Sequence, residues 1–196
     1  VARVVAAAGP EEIKDRPMHI RNLTLVVAMD ARGVIGRGDT MPWGDIKDAK
    51  WFREKTMHRS LIMGRRTFDS IVVRNGQPLE KRASIVLSRR PWDEAWPSPG
   101  VDDRGVRWAR DPLEALDMAG WGWNGSGTSD AVVIGGAEVY AIFLPFARTI
   151  SLTHVTGEHE GDVTFPGGYP GSPEWRDEAG PLHGDGFSCH TLVRGR

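Results

Sequence analysis

Ala131-Val132-Val133-Ile134-Gly135-Gly136-Ala137-Glu138-Val139-Tyr140 sets an unbroken apolar run against two glycines and then a stretch of helical spacing. An apolar run of strand length without polar alternation marks a strand buried on both faces, as in a parallel sheet. The glycines permit a tight turn and close approach of the backbone to a ligand. The helix predicted from Glu138 to Leu144 presents its N-terminus there, which favours an anion. A Gly-Gly pair alone is ordinary turn chemistry. Its place at a strand's carboxyl end, where open α/β sheets bind ligands, makes it a candidate phosphate site.

The same arrangement recurs in Ser60-Leu61-Ile62-Met63-Gly64-Arg65-Arg66-Thr67, with a short helix predicted from Arg66 to Ile71. Ser84-Ile85-Val86-Leu87 reads as a further strand and ends in Ser88-Arg89-Arg90. One arginine pair is usually a solvated surface. Two clusters at corresponding strand ends point to a phosphate site, with enough cations for a phosphorylated ribose. Leu23 to Met29, Val106 to Ala109 and Thr149 to Val155 are predicted strands, and Asp111-Pro112 opens a helix running to about Ala119. The tail from Trp175 to Val193 is expected to add antiparallel strands. The reading is an α/β fold: one domain, a mostly parallel central sheet, an antiparallel C-terminal edge and short flanking helices.

Met41-Pro42-Trp43-Gly44-Asp45-Ile46-Lys47-Asp48-Ala49-Lys50-Trp51-Phe52 places a carboxylate among large apolar side chains. With Asp45 as helix cap, Asp48, Trp51 and Phe52 share one face. A carboxylate on an apolar face is costly unless paired, and an amide-rich or cationic ligand would pair it. An acid three residues beyond a cap also favours the helix N-terminus electrostatically. From this segment both readings of Asp48 stand open.

Composition narrows the classes. The chain has 196 residues, enough for one well-buried core, and a formal charge of -1 from 25 basic and 26 acidic residues. That balance gives no reason to expect nucleic acid or an anionic membrane as partner. Cys189 is the single cysteine, so no internal disulfide or multi-cysteine metal site can form. No apolar run approaches the roughly 20 residues of a membrane span. Residues 1–19 read as a flexible N-terminal extension and 20–196 as the domain. The apolar start is too short, and too soon followed by Glu11, Glu12 and Asp15, for a signal peptide. The expected location is cytoplasmic, which leaves the acceptor-type sites at Asn22 and Asn124 without meaning.

Gly120-Trp121-Gly122-Trp123-Asn124-Gly125 has dinucleotide-fingerprint spacing but lies between a helix and a strand, the reverse of what phosphate binding needs. His154 and His159 are spaced i, i+5, and no histidine pair shows ligand spacing, so no metal is expected. No serine or cysteine sits in a nucleophile elbow.

Taken in order from Asn22 onward, these segments resemble the dihydrofolate reductase family. The matching blocks are Gly33-Val34-Ile35-Gly36, Met41-Pro42-Trp43 with Asp48 and Trp51-Phe52, and Ile62-Met63-Gly64-Arg65-Arg66-Thr67-Phe68. They continue in Ile85-Val86-Leu87-Ser88-Arg89, Val133 to Tyr140, Leu152-Thr153-His154 and Glu160 to Pro166. The resemblance implies NADPH-dependent reduction of 7,8-dihydrofolate to tetrahydrofolate, by hydride transfer to pterin C6 and protonation at N5 through water. It implies that Asp48 hydrogen-bonds the pterin 2-amino group and N3, backed by Thr153, and that Trp43 holds a water. Val26, Val27 and Ala28 would line the pterin and nicotinamide pockets, and Phe52, Ile71 and Leu79 the p-aminobenzoyl pocket. Arg82 would grip the glutamate carboxylate. For the cofactor, Ala28, Ile35, Gly36 and Tyr140 would border the nicotinamide. Ile134, Gly135, Gly136, Ala137, Glu138 and Val139 would border the pyrophosphate. Gly64, Arg65, Arg66, Thr67, Ser88 and Arg89 would hold the phosphates, including the 2′-phosphate. Residues Arg32 to Thr40 would form a lid. A monomer that binds dihydrofolate and antifolate-type molecules is expected.

Departures from the family pattern are Asp45-Ile46 where a Leu-Pro pair is usual, Ala49 for a bulkier pocket residue, and Glu138 where some members are basic. The loops at Pro91 to Gly105 and Trp121 to Asp130 are long. A pyrimidine reductase of the same fold, of the riboflavin-biosynthesis type, and a non-catalytic folate- or nucleotide-binding protein are the alternatives.

Overall fold

Asn22–Met29 forms the strand (β1) around which the domain is built, and its alternation splits the core in two. Leu23, Leu25, Val27 and Met29 pack on one side with Ile150, Leu152, Tyr140 and Phe143. Val26 points the other way, toward Leu61, Met63, Phe68, Val86 and Trp108. A strand apolar on both faces has to be covered on both, and helices cover them here. The computed structural model describes residues 20–44, 48–89, 105–125, 127, 130–167, 173–178 and 180–195.

In chain order the further elements are β2 Val34–Gly36, α1 Ala49–Thr56, β3 Ser60–Gly64, α2 Arg65–Asn75, β4 Ala83–Leu87 and β5 Arg107–Ala109. They continue with α3 Pro112–Gly120, β6 Asp130–Val133, α4 Ala137–Phe143, a 3-10 turn Leu144–Phe146 and β7 Thr149–Val155. The last are β8 Val163–Thr164, β9 Trp175–Asp177, β10 Leu182–Gly184 and β11 Phe187–Arg194. The main sheet runs β10-β11-β7-β1-β6-β3-β4-β5, with β9 on β11. From β7 to β5 all pairs are parallel, whereas β11 is antiparallel to β7, β9 and β10. The mostly parallel sheet with an antiparallel C-terminal edge is therefore present as expected.

Local signals explain most boundaries. The Asp111 side chain accepts from the Glu114 N–H at 2.9 Å, and Glu114 accepts from the Arg110 N–H at 2.7 Å, closing a reciprocal cap before Pro112. Helix α2 runs to Asn75 rather than stopping at Ile71. It ends only at Gly76, whose φ of 75° is the left-handed terminator. Helix α4 likewise starts one residue earlier than predicted, at Ala137.

Two expectations need correction. Helix α1 begins at Ala49, so that Asp48 and not Asp45 occupies the cap position. The lid segment is not all loop: Val34–Gly36 pairs with Val163–Thr164 in a second, two-stranded sheet. Gly120 ends α3 and β6 follows, confirming the reversed context of the glycine-spaced segment. Among the described residues no helix is long and apolar enough to cross a membrane. The extension at 1–19, the Asp45-Ile46 pair, Arg90 and most of the Pro91 to Gly105 loop lie outside the described residues.

Candidate active site at the strand ends

Thr153 fixes the centre of the site. It lies on β7 beside Ala28 of β1 and Cys189 of β11, is buried, and donates through Oγ1 to Asp48 Oδ2 at 2.9 Å. The Asp48 carbonyl accepts the first α1 bond, from the Phe52 N–H at 3.0 Å, yet its side chain makes no capping bond. Backbone and side chain thus divide the two roles that the sequence left open. Burial pushes the Asp48 carboxyl above its ordinary 3.8. The Thr153 bond, its own backbone N–H and the charge of Arg74 oppose that without cancelling it. Behind Thr153, the Cys189 thiol lies 4.0 Å from its Oγ1.

The walls come from both cores. Phe52, Ile71 and Leu79 pack, half-buried, against the cluster that contains Val26, so the residues expected around one aromatic group are brought together. Val27 lies across the sheet in the other cluster. The Tyr140 hydroxyl donates to the Val26 carbonyl at 2.6 Å, and full burial raises its pKa far beyond the ordinary phenol range. Tyr140 is therefore a neutral donor that fixes β1. Arg82 donates through Nε to Thr56 Oγ1 at 3.1 Å and through Nη1 to the Glu80 carbonyl at 3.2 Å, which orients it at the end of α1. Ala49, the first residue of α1, is exposed.

Beside this cleft the two glycine turns meet. The Gly64 N–H donates to the Gly135 carbonyl at 2.8 Å. A Cβ added to Gly64 would come 3.2 Å from Val139 Cγ2, one on Gly135 3.4 Å from the Tyr140 ring, and one on Gly136 3.5 Å from Thr67 Oγ1. Gly135 also has φ 118°, which side-chain-bearing residues avoid. Three arginines around them meet acids: Arg65 with Asp69 at 3.4 Å, Arg66 with Asp39 at 2.8 Å, and Arg89 with Glu138 at 2.9 Å. Ser88, after β4, donates its N–H to Ala109. Ile134, at the end of β6, is buried, while Ala137 and Val139 continue into α4.

Sequence reasoning missed the fastening of the lid. Asp30, fully buried, accepts backbone N–H bonds from Arg32 at 2.9 Å, Val34 at 3.0 Å and His159 at 2.8 Å. Its carboxylate binds the root of the Arg32–Thr40 segment to the loop before β8. An acid just after a buried strand and three residues before Gly33 signals such a turn. The His159 ring stands edge-on to Trp43, with centroids 5.4 Å apart. Trp43 Nε1 is buried without a hydrogen-bond partner among the described residues. Ile35 packs against the core and the Gly36 carbonyl accepts from the Asp162 N–H at 3.1 Å, so the Val34–Gly36 strand is also held.

One other constellation carries nucleophile-like order. Ser188 Oγ lies 2.8 Å from His190 Nε2, and His190 Nδ1 lies 2.7 Å from Asp177 Oδ2. Ser188 sits mid-strand between His154 and His183 partners, so its backbone N–H serves the sheet and cannot bind an oxyanion. The trio ties β9 to β11.

Fold and site define an α/β protein with a half-buried carboxylate held by Thr153 and a glycine-and-arginine cradle at adjacent strand ends. The family model described as Dihydrofolate reductase matches residues 22–179. The dihydrofolate reductase of Haemophilus influenzae is 35% identical over 143 residues, covering 73% of this chain and 78% of that protein. Dihydrofolate reductase HdrB of Haloferax volcanii is 35% identical over 176 residues, covering 87% and 82%. Among solved structures, dihydrofolate reductase from Enterococcus faecalis, complexed with NADP(H) and RAB-propyl, superposes with a TM-score of 0.69 at 28% identity. That match covers 89% of this chain and 97% of that one. The chain belongs to the dihydrofolate reductase family.

Proposed function

We propose that this cleft reduces 7,8-dihydrofolate to 5,6,7,8-tetrahydrofolate with NADPH, and that Asp48 is the carboxylate that holds the pterin. The observation that carries the assignment is the Asp48 side chain itself. It is shielded, released from capping duty and tied through one oxygen to Thr153 at 2.9 Å. A carboxylate so placed accepts from the 2-amino group and N3 of a pterin, a pairing that compensates its burial.

The strand-end residues fit NADPH. A side chain at Gly64 would crowd Val139 and one at Gly135 would be strained by its backbone φ of 118°, so bare backbone is what these turns offer a pyrophosphate. Gly64, Arg65, Arg66, Thr67, Ser88 and Arg89 would hold the phosphates. Ile134, Gly135, Gly136, Ala137, Glu138 and Val139 would flank the pyrophosphate, with Ala28, Ile35, Gly36 and Tyr140 near the nicotinamide. When bound, NADPH supplies the hydride that pterin C6 accepts.

The chain's own residues do the rest. Thr153 fixes the Asp48 carboxylate, which orients the pterin and biases its protonation. Trp43 Nε1 is the buried donor suited to fixing a water near the ring. Tyr140 holds the Val26 carbonyl and so the wall of the pocket. Phe52, Ile71 and Leu79 take the p-aminobenzoyl group and Arg82 the glutamate carboxylate, which a fixed guanidinium can bind through two hydrogen bonds. The lid from Arg32 to Thr40 excludes bulk water. Antifolate-type molecules that mimic the pterin would use the same carboxylate. The reading also takes the chain as a cytoplasmic monomer.

The test mixes protein, NADPH and dihydrofolate and follows the loss of nicotinamide absorbance, with Asp48→Asn in parallel. Turnover in the natural chain and its collapse in the variant are expected. Tight NADPH binding without turnover would reject the activity. Full activity of Asp48→Asn would reject the site assignment alone.

A further inference from the structure

Glu138 stands in the first turn of α4, two residues after Gly136. Its Oε2 accepts from Arg89 Nη2 at 2.9 Å, with the two side chains 79% and 84% exposed. This pair differs from the other two at the cradle. Asp69 meets Arg65 one turn along the same helix, and Asp39 meets Arg66 from the lid. Glu138 instead belongs to the segment that carries the glycine turn itself. Its charge therefore lies on the same side of the cradle as the backbone offered to phosphate, and it engages a cation placed to bind that phosphate.

We infer that Glu138 is a specificity-determining residue that weakens the chain's preference for NADPH over NADH by competing with the 2′-phosphate for Arg89. The inference rests on the phosphate assignment of Arg89 proposed above. A 2′-phosphate that reaches Arg89 has to displace the carboxylate or share the guanidinium with it, and like charges brought close repel. NADH brings no such conflict. Its 2′-hydroxyl can donate to a carboxylate, the arrangement by which acidic residues favour the unphosphorylated cofactor. Exposed ion pairs are weak, so the effect is limited to about two- to fivefold in affinity, and salt should reduce it.

The experiment measures dissociation constants for NADPH and NADH by quenching of tryptophan fluorescence. It uses the natural chain, Glu138→Gln, Arg89→Gln and the double variant, at low and high salt, with a melting curve for each. Glu138→Gln should tighten NADPH about two- to fivefold and leave NADH unchanged or slightly weaker. The gain should vanish in the Arg89→Gln background, because the contested cation is gone. Unchanged NADPH affinity in Glu138→Gln would overturn the inference, as would a gain that persists undiminished without Arg89. If Arg89→Gln weakens NADPH and NADH equally, the phosphate assignment itself falls. That outcome is distinct from one in which Arg89 matters and Glu138 does not.

Discussion

Asp30 follows β1 and Asp48 bonds Thr153 of the neighbouring strand β7, and their surroundings push the two acids in opposite directions. Asp30, at the root of the lid, is the more completely buried of the two. Burial alone would raise it, but backbone N–H bonds from His159, Val34 and Arg32, with the Arg32 charge, bring it below its ordinary 3.8. Asp48 has the Thr153 hydroxyl, its own N–H and the distant charge of Arg74, and burial prevails. Fixed donors separate the two directions: three backbone N–H groups from other residues at Asp30, against one hydroxyl and its own N–H at Asp48. One carboxylate has its acceptor capacity filled by the fold and acts as a fastener. The other keeps capacity for a ligand.

The contrast breaks most visibly at Asp48. Asp48→Asn is expected to cut turnover at neutral pH by about a hundredfold or more, the scale of losing a positioned acid–base group. The same change should raise the melting temperature. A raised folded pKa means that Asp48 stabilises fully below its ordinary 3.8 and that this contribution is lost as pH rises through the raised value. Above that value the fold holds an under-solvated charge, and the amide removes it. Melting curves from pH 3 to 8 should show the variant's advantage shrinking in acid; an advantage that grows in acid would contradict the assigned shift.

Asp30 should answer with the opposite sign. Asp30→Ala leaves buried N–H groups without an acceptor, at a cost of about 2–4 kcal/mol, and lowers the melting temperature by roughly 5–15 °C. Because the folded pKa of Asp30 is depressed, its contribution is present above the ordinary 3.8 and is lost as pH falls through the lower folded value. The gap between natural chain and variant should therefore close only in strong acid. A constant gap across that range would mean that packing, not charge, holds the lid root.

The two acids were unequally legible. Asp48 could be singled out because Trp51 and Phe52 lie three and four residues beyond it and because Pro42-Trp43 precedes it. Its helix start was misplaced because Asp45 offered an equally good cap in sequence. Leu23 to Met29 and the Gly135-Gly136 turn announced themselves through unbroken apolar runs, whereas β2 and β8, with three and two residues, are too short for a period to show. The donors to Asp30 are main-chain groups, so residue identity marks them only through the acid placed three residues before Gly33, and gives no sign of the His159 N–H. The arginine clusters could be read, but Asp39 and Glu138, which hold Arg66 and Arg89, sit 27 and 49 residues away and pair only through the fold.

Thr153→Val sharpens the comparison by taking away the side-chain donor of Asp48. Valine keeps the shape of the side chain, and the neighbouring Cys189 thiol still lies against it. A hydrogen bond to a charged carboxylate is worth roughly 1.5–3 kcal/mol, so without it Asp48 should titrate higher still. The pH limb of kcat/KM for dihydrofolate should move upward while NADPH affinity holds. An unmoved limb would show that Thr153 orients nothing that titrates.

The smallest expected effect separates the backbone of the lid root from its side chains. Asp30 holds His159 by its N–H, while the His159 ring touches Trp43 at 76° between planes. His159→Leu should leave the backbone bond to Asp30 in place and remove the edge-on ring contact, worth about 0.5–1.5 kcal/mol, together with the approach of the ring Nδ1 to Asp30 Oδ2 at 3.6 Å. The expected outcome is a shift in tryptophan emission and a rise in KM for dihydrofolate of less than about tenfold, with stability nearly unchanged. A loss of stability comparable with Asp30→Ala would place the fastening in the ring. It would then remove the distinction drawn between a carboxylate that holds the fold through main-chain donors and one that keeps its capacity for a ligand, because Asp30 would be acting through a side chain.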